Sequence, residues 1–544
     1  MLAGRRAGGP GQGERPVVDE PPPAADADSY RSGEPEKERK GSGESALKAG
    51  LIAKNNDRDA HPYCLRTRFL SLTLGPTGIA AVDNLIPVAL PFLPPGKGPV
   101  TDGAQFCGQI CLLSHFHTGK TRCFTLWFAL VSPNSCLFFR LFMFRFCITL
   151  ILSGCVLAGR AQHQPDTLTQ HLQARYRASR LPGFAVALIN ADSVWYEHGF
   201  GWADRENKRP YTASTIQSVG SVSKTLIGVA LMQCVEKGLF TLDTPINQLL
   251  PFRVVNPHYP TDTIRVRHLA THTSGLVDNE RTYLQTYLMA PRGGTVPISQ
   301  LKGYDRSGRY KQETLRSFLA SCLSPGGSRY GPQQFAPTHP GQAYAYTNMG
   351  AALAALIVET QTNQSYADYT RQHILLPAGM THSAWSGVDI DPRLQAKAYS
   401  SEQRSYPSYT SITYPDGNLR TSCHELARYL RLILANRAGG TGLLTPSGIQ
   451  AVLAPQFEGT SLPSSLPARE SNAGLFWIIR SNGLIGHTGS DPGATAFLFF
   501  DPQTGLGRLL MTNIDIDTDP ELTKQFVMIW NLLGQAGQQL VPKK

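Results

Sequence analysis

Apolar and polar residues follow two different periods along residues 166–540, and the changes of period mark the elements. The stretch 166–180 (DTLTQHLQARYRASR) is polar, with a helical spacing of its apolar residues. Two runs with strand-like character follow at 183–189 and 193–204, separated by a turn at 190–192. The pattern therefore predicts a helix followed by a β-hairpin.

A second helical pattern begins at Ser221. Its apolar positions have the spacing of one buried helical stripe and are Ile227, Ala230, Leu231, Cys234 and Val235. Gly238 ends the pattern, as glycine commonly does at a helix C-terminus. We therefore expect Ser221 to open a buried helix.

Helical patterns interrupted by loops fill the stretch from about 245 to 440, where Ser422 and Glu425 have the spacing of a capping box. Strand patterns return after about Gly474, and the runs cover 474–480, 484–489, 494–500 and 508–514. A last helical run covers 521–535. Helices thus dominate the middle of the chain, and strands return near its end.

This order of elements predicts an α+β fold. Because strands occur near both ends of the region 162–544, the ends must meet to complete one antiparallel sheet. Helices would flank this sheet, and the stretch from about 245 to 440 would form an all-helical domain beside it.

Residues 1–142 differ from the rest of the chain. Up to about residue 60 they are rich in Gly, Pro, Ser and charge, a composition that buries too little apolar surface to offset the entropy lost on ordering. Residues 61–142 keep neither period for long. We expect 1–142 to be a disordered or non-native upstream extension.

Residues 143–161 (MFRFCITLILSGCVLAGRA) have the features of a secretory signal peptide. They combine a basic start at Arg145, an uncharged run and small residues before a cut after Ala161. The uncharged run, 146–158, is shorter than the roughly 20 residues that span a bilayer. We expect translation to start at Met143 and the product to be periplasmic or secreted in a bacterium, with a genuine N-terminal extension as the alternative.

Leu152 to Cys155 also resemble a bacterial lipobox, so lipidation of Cys155 and anchoring to a membrane is an alternative to release. Seven of the ten cysteines lie at or before Cys155. The other three are widely spaced and predict neither a disulfide framework nor a metal site: Cys234, Cys322 and Cys423.

The formal net charge of +11 does not point to a nucleic acid. The Lys and Arg residues are scattered and do not form blocks with interleaved aromatic residues. His268 and His272 have a spacing that suits two metal ligands on a helix, but no Glu follows His268. We expect no nucleic-acid partner and no metal.

Ser221 and Lys224 are three residues apart, so on a helix they share one face, one turn apart. The helix dipole favours a developing alkoxide, and partial burial lowers the pKa of a lysine towards that of a useful base. The same spacing at 45–48 and 299–302 does not lead an amphipathic helix. A capping serine beside a surface lysine is the alternative.

Two further motifs carry candidate chemistry. Tyr346 and Asn348 stand just before a helical run, where a phenol could move a proton and an amide could hold a lysine and a substrate carbonyl. A packed loop aromatic is the alternative for Tyr346. His487, Thr488 and Gly489 end a predicted strand that we place at the sheet edge.

On that strand, Gly489 would let a substrate approach the backbone. The N–H groups of Ser490 and Ser221 would stabilise an oxyanion together. The imidazole of His487 would bind a hydroxyl or a carboxylate.

The three motifs, in this order, resemble those of the serine β-lactamase and penicillin-binding superfamily, and most closely its class C-like branch. Connecting stretches are similar too, including GFGWAD, IRVRHLATHTSGL and YPDGNLRTSCHELARYL. The resemblance covers nearly all of residues 165–540. It implies an α/β domain beside a helical domain, an active site between them, acyl transfer through Ser221 with proton handling by Lys224 and Tyr346, and no cofactor.

His487 departs from the pattern, since β-lactamases of this class carry lysine at this position. The lost positive charge would have paired with a substrate carboxylate. We therefore predict an exported monomeric serine hydrolase acting on a small ester, amide or D-amino-acid peptide. The alternatives are a true β-lactamase, a D-Ala-D-Ala carboxypeptidase, or a non-catalytic penicillin-binding or sensor protein.

Overall fold

The computed structural model describes residues 109–114, 122–127, 167–459 and 462–540. The predictions for the signal peptide, for Cys155 and for most of residues 1–142 lie outside these ranges. The chain divides into two compact units, and the described residues up to 127 belong to one while those from 167 belong to the other.

The strands are numbered in chain order. They are β1 (Gln109–Ser114), β2 (Arg122–Trp127), β3 (Gly183–Ile189), β4 (Val194–Asp204), β5 (Arg209–Pro210), β6 (Ile216–Ser218), β7 (Tyr287–Met289), β8 (Tyr409–Ser411), β9 (Arg420–Ser422), β10 (Glu470–Ala473), β11 (Ile478–Arg480), β12 (Ile485–Asp491), β13 (Ala494–Phe500) and β14 (Gly507–Thr512).

The α-helices are numbered likewise. They are α1 (167–177), α2 (Lys224–Glu236), α3 (Val266–Ala270), α4 (Glu280–Leu284), α5 (Leu315–Leu323), α6 (Asn348–Thr362), α7 (Tyr366–Thr370), α8 (Cys423–Arg437), α9 (Pro446–Leu453) and α10 (Pro520–Leu540).

The smaller unit contains an antiparallel hairpin. β1 pairs with β2 from Gln109 opposite Trp127 to Ser114 opposite Arg122. The sequence pattern predicts no regular element here, because neither strand keeps a clear alternation of apolar and polar residues.

An eight-stranded antiparallel sheet organises the larger unit, with the strand order β10-β11-β12-β13-β14-β3-β4-β5. The last described strand, β14, pairs with the first described strand of this unit, β3, from Gly507 opposite Ile189 to Thr512 opposite Phe184. The predicted meeting of the two ends is therefore confirmed, and with it the α+β fold.

Both faces of the sheet are covered, as the full burial of β3 indicates. Phe184, Val186 and Leu188 pack in one core with α1 and α10. Ala185, Ala187 and Ile189 point the other way, into a larger core shared with α2 and α8. Alternate residues of one strand thus serve two apolar layers, which explains why β3 reads as a continuous apolar run.

α2 is buried on all sides, which corrects the single buried stripe expected from its sequence. Eleven of its residues, from Lys224 to Cys234, are buried. The helix contacts both α6 and α9. A helix that is surrounded in this way keeps its first residues in a fixed position.

α10 shows the opposite arrangement, since only one of its faces is buried. The buried residues recur at helical spacing and include Leu522, Phe526, Ile529 and Leu533. None of the helices in the described part of the chain is both long enough and apolar enough to cross a membrane.

The region from about 245 to 440 contains α3 to α8 and the short strand pair β7–β8, together with β9, which pairs with β6 from outside the region. The predicted capping box at α8 is only half formed. Ser422 Oγ accepts the backbone N–H of Glu425 at 3.2 Å, but the Glu425 carboxylate accepts hydrogen bonds from Ser383 Oγ at 2.6 Å and from the N–H of His382 at 2.9 Å. The Glu425 side chain therefore makes tertiary hydrogen bonds in place of the local bond to the Ser422 backbone that would complete a capping box.

Candidate active site

Ser221 lies in a tight turn that leads directly into α2. Residues Gly220–Ser223 form a 3₁₀ turn, and the α-helix begins at Lys224, three residues later than the sequence pattern predicts. Gly220 adopts a φ of +51°, a conformation that favours glycine. Ser221 and Lys224 nevertheless lie one helical turn apart, as their three-residue spacing requires.

Lys224 is fully buried and its amine is surrounded by three oxygen atoms. Nζ lies 3.0 Å from Ser221 Oγ, 2.6 Å from Asn348 Oδ1 and 2.6 Å from the backbone oxygen of Asp416. Burial lowers the pKa of Lys224 to about 8, although Asp416, Asp278 and Asp491 oppose this shift by favouring the ammonium.

These contacts determine the direction of each hydrogen bond once Lys224 is neutral. An amide oxygen and a backbone carbonyl can only accept, so the two N–H bonds of the amine point to Asn348 and Asp416. The nitrogen lone pair then faces Ser221 Oγ and accepts its proton. A neutral Lys224 is therefore oriented as a base for Ser221.

Tyr346 completes the contacts of Ser221. The residue is 37% exposed, yet its hydroxyl forms a hydrogen bond with Ser221, and burial raises the pKa of the phenol well above its usual value. Lys224 Nζ lies 5.0 Å from the centre of the Tyr346 ring. The imidazole of His272 packs against the same ring in a tilted arrangement, at 4.5 Å between centres. Tyr346 therefore keeps its proton and holds it beside the serine.

Asn348 is held at the start of α6 by a carboxylate that the sequence analysis did not single out. Asp278 accepts the backbone N–H groups of Asn348 and Met349 at 2.7 and 2.9 Å and the hydroxyl of Thr347 at 2.8 Å. A carboxylate at a helix N-terminus also interacts favourably with the helix dipole. Asp278 thus orients the amide that binds Lys224.

His487 is buried, being only 2% exposed, and lies near the Tyr346 ring at 6.2 Å between centres. Its Nδ1 contacts the backbone oxygen of Thr488 at 2.5 Å. Burial, with a smaller contribution from the Lys224 charge, lowers the pKa of His487 to about 3. The imidazole is therefore neutral at neutral pH and places no positive charge on this strand.

Gly489 lies where β12 meets the turn that holds Ser221. A side-chain Cβ at Gly489 would come within 2.0 Å of the backbone oxygen of Val219 and 3.0 Å of the Ser221 nitrogen. A Cβ at Gly220 would come within 2.6 Å of the Ser490 nitrogen. The two backbones are therefore in direct contact, and the nitrogens of Ser221 and Ser490 lie at the same corner of the site.

The expectation that this strand forms the sheet edge is wrong, because β12 lies between β11 and β13. β11, however, pairs only with Ile485 and Gly486. The later residues of β12 are thus left to contact the 3₁₀ turn. Thr488 is half-buried on this stretch, and exposed Ser490 donates its hydroxyl to the carboxylate of Asp517.

Sequence reasoning missed three acidic residues around Lys224: Asp278, Asp416 and Asp491. Asp416 accepts the hydroxyl of Tyr283 at 2.9 Å, and Asp491 accepts the hydroxyls of Tyr287 and Tyr409, both at 2.8 Å. Each of the three acids lies in or beside a stretch that is similar to the corresponding stretch of the family. The sequence around each acid, however, contains no spacing pattern that distinguishes it from an ordinary turn residue. Only the folded chain brings the three to one lysine.

No group of three or more His, Cys, Asp and Glu side chains in the described residues could hold a metal ion. His268 Nδ1 instead accepts the N–H of Arg265 at 3.2 Å at the start of α3. His272 Nδ1 accepts the N–H of Thr347 at 3.3 Å. The two histidines therefore accept separate hydrogen bonds, His268 within its own helix start and His272 from the distant Thr347.

Comparison with known proteins agrees with this geometry. The family model described as Beta-lactamase matches residues 168–527. The protein flp of Staphylococcus aureus (strain MW2) is 19% identical over 372 residues, which make up 68% of this chain and 66% of that protein. The chain therefore spans slightly less than two thirds of the length of this curated relative.

Solved structures share the fold. The octameric penicillin-binding protein homologue from Pyrococcus abyssi matches with a TM-score of 0.53 and 24% identity, over 69% of this chain and 79% of that one. D-amino acid amidase from Ochrobactrum anthropi SV3, determined in complex with L-phenylalanine amide, matches with a TM-score of 0.52 and 19% identity, over 68% and 99% of the two chains. The chain belongs to the beta-lactamase family, within the superfamily of serine β-lactamases and penicillin-binding proteins.

Proposed function

We propose that the protein is a serine hydrolase that forms an acyl-enzyme on Ser221 and hydrolyses a small ester, amide or D-amino-acid peptide. The observation that carries the proposal is the contact of 3.0 Å between Lys224 Nζ and Ser221 Oγ in a buried site. A surface lysine beside a capping serine would be solvated. The two obligate acceptors on Lys224 instead direct its lone pair to the serine.

The reaction would start with transfer of the Ser221 proton to Lys224 while Oγ forms a bond to the substrate carbonyl carbon. The oxyanion would lie at the corner formed by the backbone nitrogens of Ser221 and Ser490. The phenol of Tyr346 would protonate the leaving group as its bond to carbon breaks, and the Lys224 ammonium would return a proton to the phenolate. Water would release the acyl group by the same steps in reverse.

Asn348 has a role in substrate binding in this scheme. Its Oδ1 is occupied by Lys224, so its amide nitrogen is the group that can donate to a substrate carbonyl. The side chain is partly exposed, unlike that of Lys224.

The neutral state of His487 favours an esterase or amidase over an efficient β-lactamase or a carboxypeptidase. A substrate carboxylate at this strand would meet an uncharged imidazole and not a fixed cation. The D-amino acid amidase that shares the fold acts on amides of single amino acids, as its name states. This likeness supports a small amide among the candidate substrates.

Intact-mass spectrometry tests the proposal directly. Residues 162–544 would be exposed to a serine-reactive phosphonate and, separately, to a penicillin, as wild type and as Ser221→Ala. We expect a phosphonate adduct on the wild type and none on the variant, with little or no penicilloyl adduct. The turnover of a chromogenic ester should fall at least about 10³-fold in Ser221→Ala, in line with the loss of a nucleophile.

A phosphonate adduct that persists in Ser221→Ala would refute the assignment of the nucleophile. An efficient and rapidly released penicilloyl adduct would favour a true β-lactamase. The absence of any adduct on folded wild-type protein would favour a non-catalytic binding protein.

A further inference from the structure

The carboxyl group of Asp416 is buried beside the proposed base in an environment that leaves one of its oxygens without a partner. The residue is 2% exposed. Oδ1 accepts the hydroxyl of Tyr283 at 2.9 Å, and the hydroxyl of Thr413 also bonds the carboxyl group. Oδ2 is buried and makes no hydrogen bond within the described residues. An ionised carboxylate is costly in such a place unless a cation lies nearby.

Lys224 is that cation. Asp416 lies in the 3₁₀ turn Tyr414–Asp416, and its backbone oxygen accepts Lys224 Nζ at 2.6 Å. The side-chain carboxylate favours the ammonium form of Lys224, and Lys224 in turn favours the ionised form of Asp416. The same turn therefore both orients the amine and places a titratable charge close to it.

Other charged and titratable groups also face this pair. Asp278 and Asp491 favour the ammonium of Lys224, and Asp278 disfavours ionisation of Asp416. His272 and His487 are neutral, because burial lowers the pKa of each imidazole. Asp278 is bound at the start of α6 by three donors. Asp491 is bound by three hydroxyls, from Ser218, Tyr287 and Tyr409.

Asp416 differs from both acids because it has an oxygen without a partner and because its own backbone binds Lys224. We propose that the side-chain carboxyl of Asp416 is a positioning group that acts through Lys224, and that its charge sets the pH at which Lys224 becomes the base for Ser221. The proposal rests on the proposed function. Burial raises the pKa of Asp416 to about 7 and lowers that of Lys224 to about 8, so the two groups titrate close to each other.

Asp416→Asn is the variant that tests this role. Asparagine keeps an oxygen for the Tyr283 hydroxyl and keeps the backbone carbonyl, but it removes the charge. Because the carboxylate stabilises the ammonium, its removal lets Lys224 lose its proton at lower pH. The acidic limb of the pH profile of kcat/KM should move about one pH unit towards acid.

Tyr283→Phe provides a second variant that does not alter Asp416 itself. Loss of the hydroxyl removes a donor that favours the ionised carboxylate, so Asp416 keeps its proton to higher pH and supports the ammonium less. The acidic limb of the kcat/KM profile should therefore also move towards lower pH, by a smaller amount than in Asp416→Asn. In an Asp416→Asn background the same change should have no further effect, which a purely structural role would not produce.

Asp243→Asn is the matched control, since it removes a carboxylate that is 62% exposed and paired with Arg267. Its profile should coincide with that of the wild type. A direct NMR titration of the Lys224 side chain, assigned with Lys224→Arg, gives the same midpoint without turnover. It separates failure of this proposal from failure of the proposed function.

An unchanged Lys224 midpoint in both Asp416→Asn and Tyr283→Phe would overturn the proposal, even if all variants remain active. A shifted midpoint in protein that forms no phosphonate adduct would support the coupling of the two groups and refute the hydrolase. An effect of Tyr283→Phe that persists in Asp416→Asn would assign the shift to the tyrosine and not to the acid.

Discussion

Lys224 shows how a residue that is costly to bury becomes useful. A buried ammonium is unfavourable, so burial lowers the pKa of Lys224 to about 8. Three nearby carboxylates limit this shift, and three oxygen acceptors keep the amine in place. The residue can therefore exchange its proton near neutral pH, as a base for Ser221 must.

The pH profile of the wild-type enzyme follows from this state. Because Lys224 must be neutral to accept the Ser221 proton, kcat/KM should rise with pH through a midpoint near 8. Tyr346 should cause no decline below about pH 10, since burial raises the pKa of its phenol above the ordinary value. The measurement is the rate of hydrolysis of a chromogenic ester between pH 5 and pH 10.

Lys224→Arg is the control for this profile, because arginine keeps the positive charge but stays protonated. The variant should lose at least about 10²-fold in kcat/KM and should lack the acidic limb. If kcat/KM of Lys224→Arg still rises with pH through the same midpoint, the titrating group is not Lys224.

At the scale of elements, the site depends on two backbones that touch. The turn Gly220–Ser223 crosses the later residues of β12 so closely that both Gly220 and Gly489 lack room for a side chain. This contact is available because β11 ends its pairing at Gly486. The short partner strand thus frees the part of β12 that carries Gly489 and Ser490.

Gly489→Ala tests this contact. The added Cβ would lie 2.0 Å from the Val219 backbone oxygen, so the turn and β12 must separate. We expect the nitrogens of Ser221 and Ser490 to move apart and kcat/KM to fall about 10²-fold or more, with a smaller change in KM.

Gly483→Ala is the control for this substitution. Gly483 lies in the turn before β12 at a φ of +82°, and a Cβ there meets nothing within 4 Å. It should cost about 1 kcal/mol of backbone strain and leave kcat/KM unchanged. Circular dichroism would verify that both variants fold, and near-normal kcat/KM in folded Gly489→Ala would contradict the assigned contact.

At the scale of the whole molecule, the sheet separates two apolar cores in the described part of the chain, and only one of them includes residues at the start of α2. The core on the α2 and α8 side includes Val222 and Leu226, which surround the start of α2 and so support Ser221 and Lys224. The core on the α1 and α10 side lies behind the sheet and includes no residue of the proposed active site. Stability and activity should therefore respond separately to changes in the second core.

Phe526→Ala should reveal this separation. Phe526 is fully buried in α10, with its ring 4.9 Å from that of Phe497. Its truncation should lower the free energy of unfolding by about 3–5 kcal/mol, while kcat of the folded enzyme at low temperature stays unchanged. Urea denaturation and ester hydrolysis at 15 °C measure the two quantities.

Met528→Ala on the same helix is the matched control, because Met528 is 37% exposed. It should change the free energy of unfolding by less than about 0.5 kcal/mol. A large loss of kcat in folded Phe526→Ala would show that the two cores are coupled.

Much of the fold was predictable because it depends on local patterns. The strand patterns of β12, β13 and β14 and the hairpin of β3 and β4 could be identified directly from the sequence, and the shortage of strands in the middle required the ends to pair. The start of α2 was misplaced by three residues because a 3₁₀ turn and an α-helix share the same sequence signal at Ser221.

The sequence by itself determined the spacing of Ser221 and Lys224, the order of the motifs and hence the family, since these are properties of contiguous segments. The tertiary structure alone decided that Asp278, Asp416 and Asp491 surround one lysine and that His487 is neutral. Charge states depend on burial and on neighbours that are distant in the chain. No local pattern records such neighbours, so the chemistry of this site became apparent only in the folded protein.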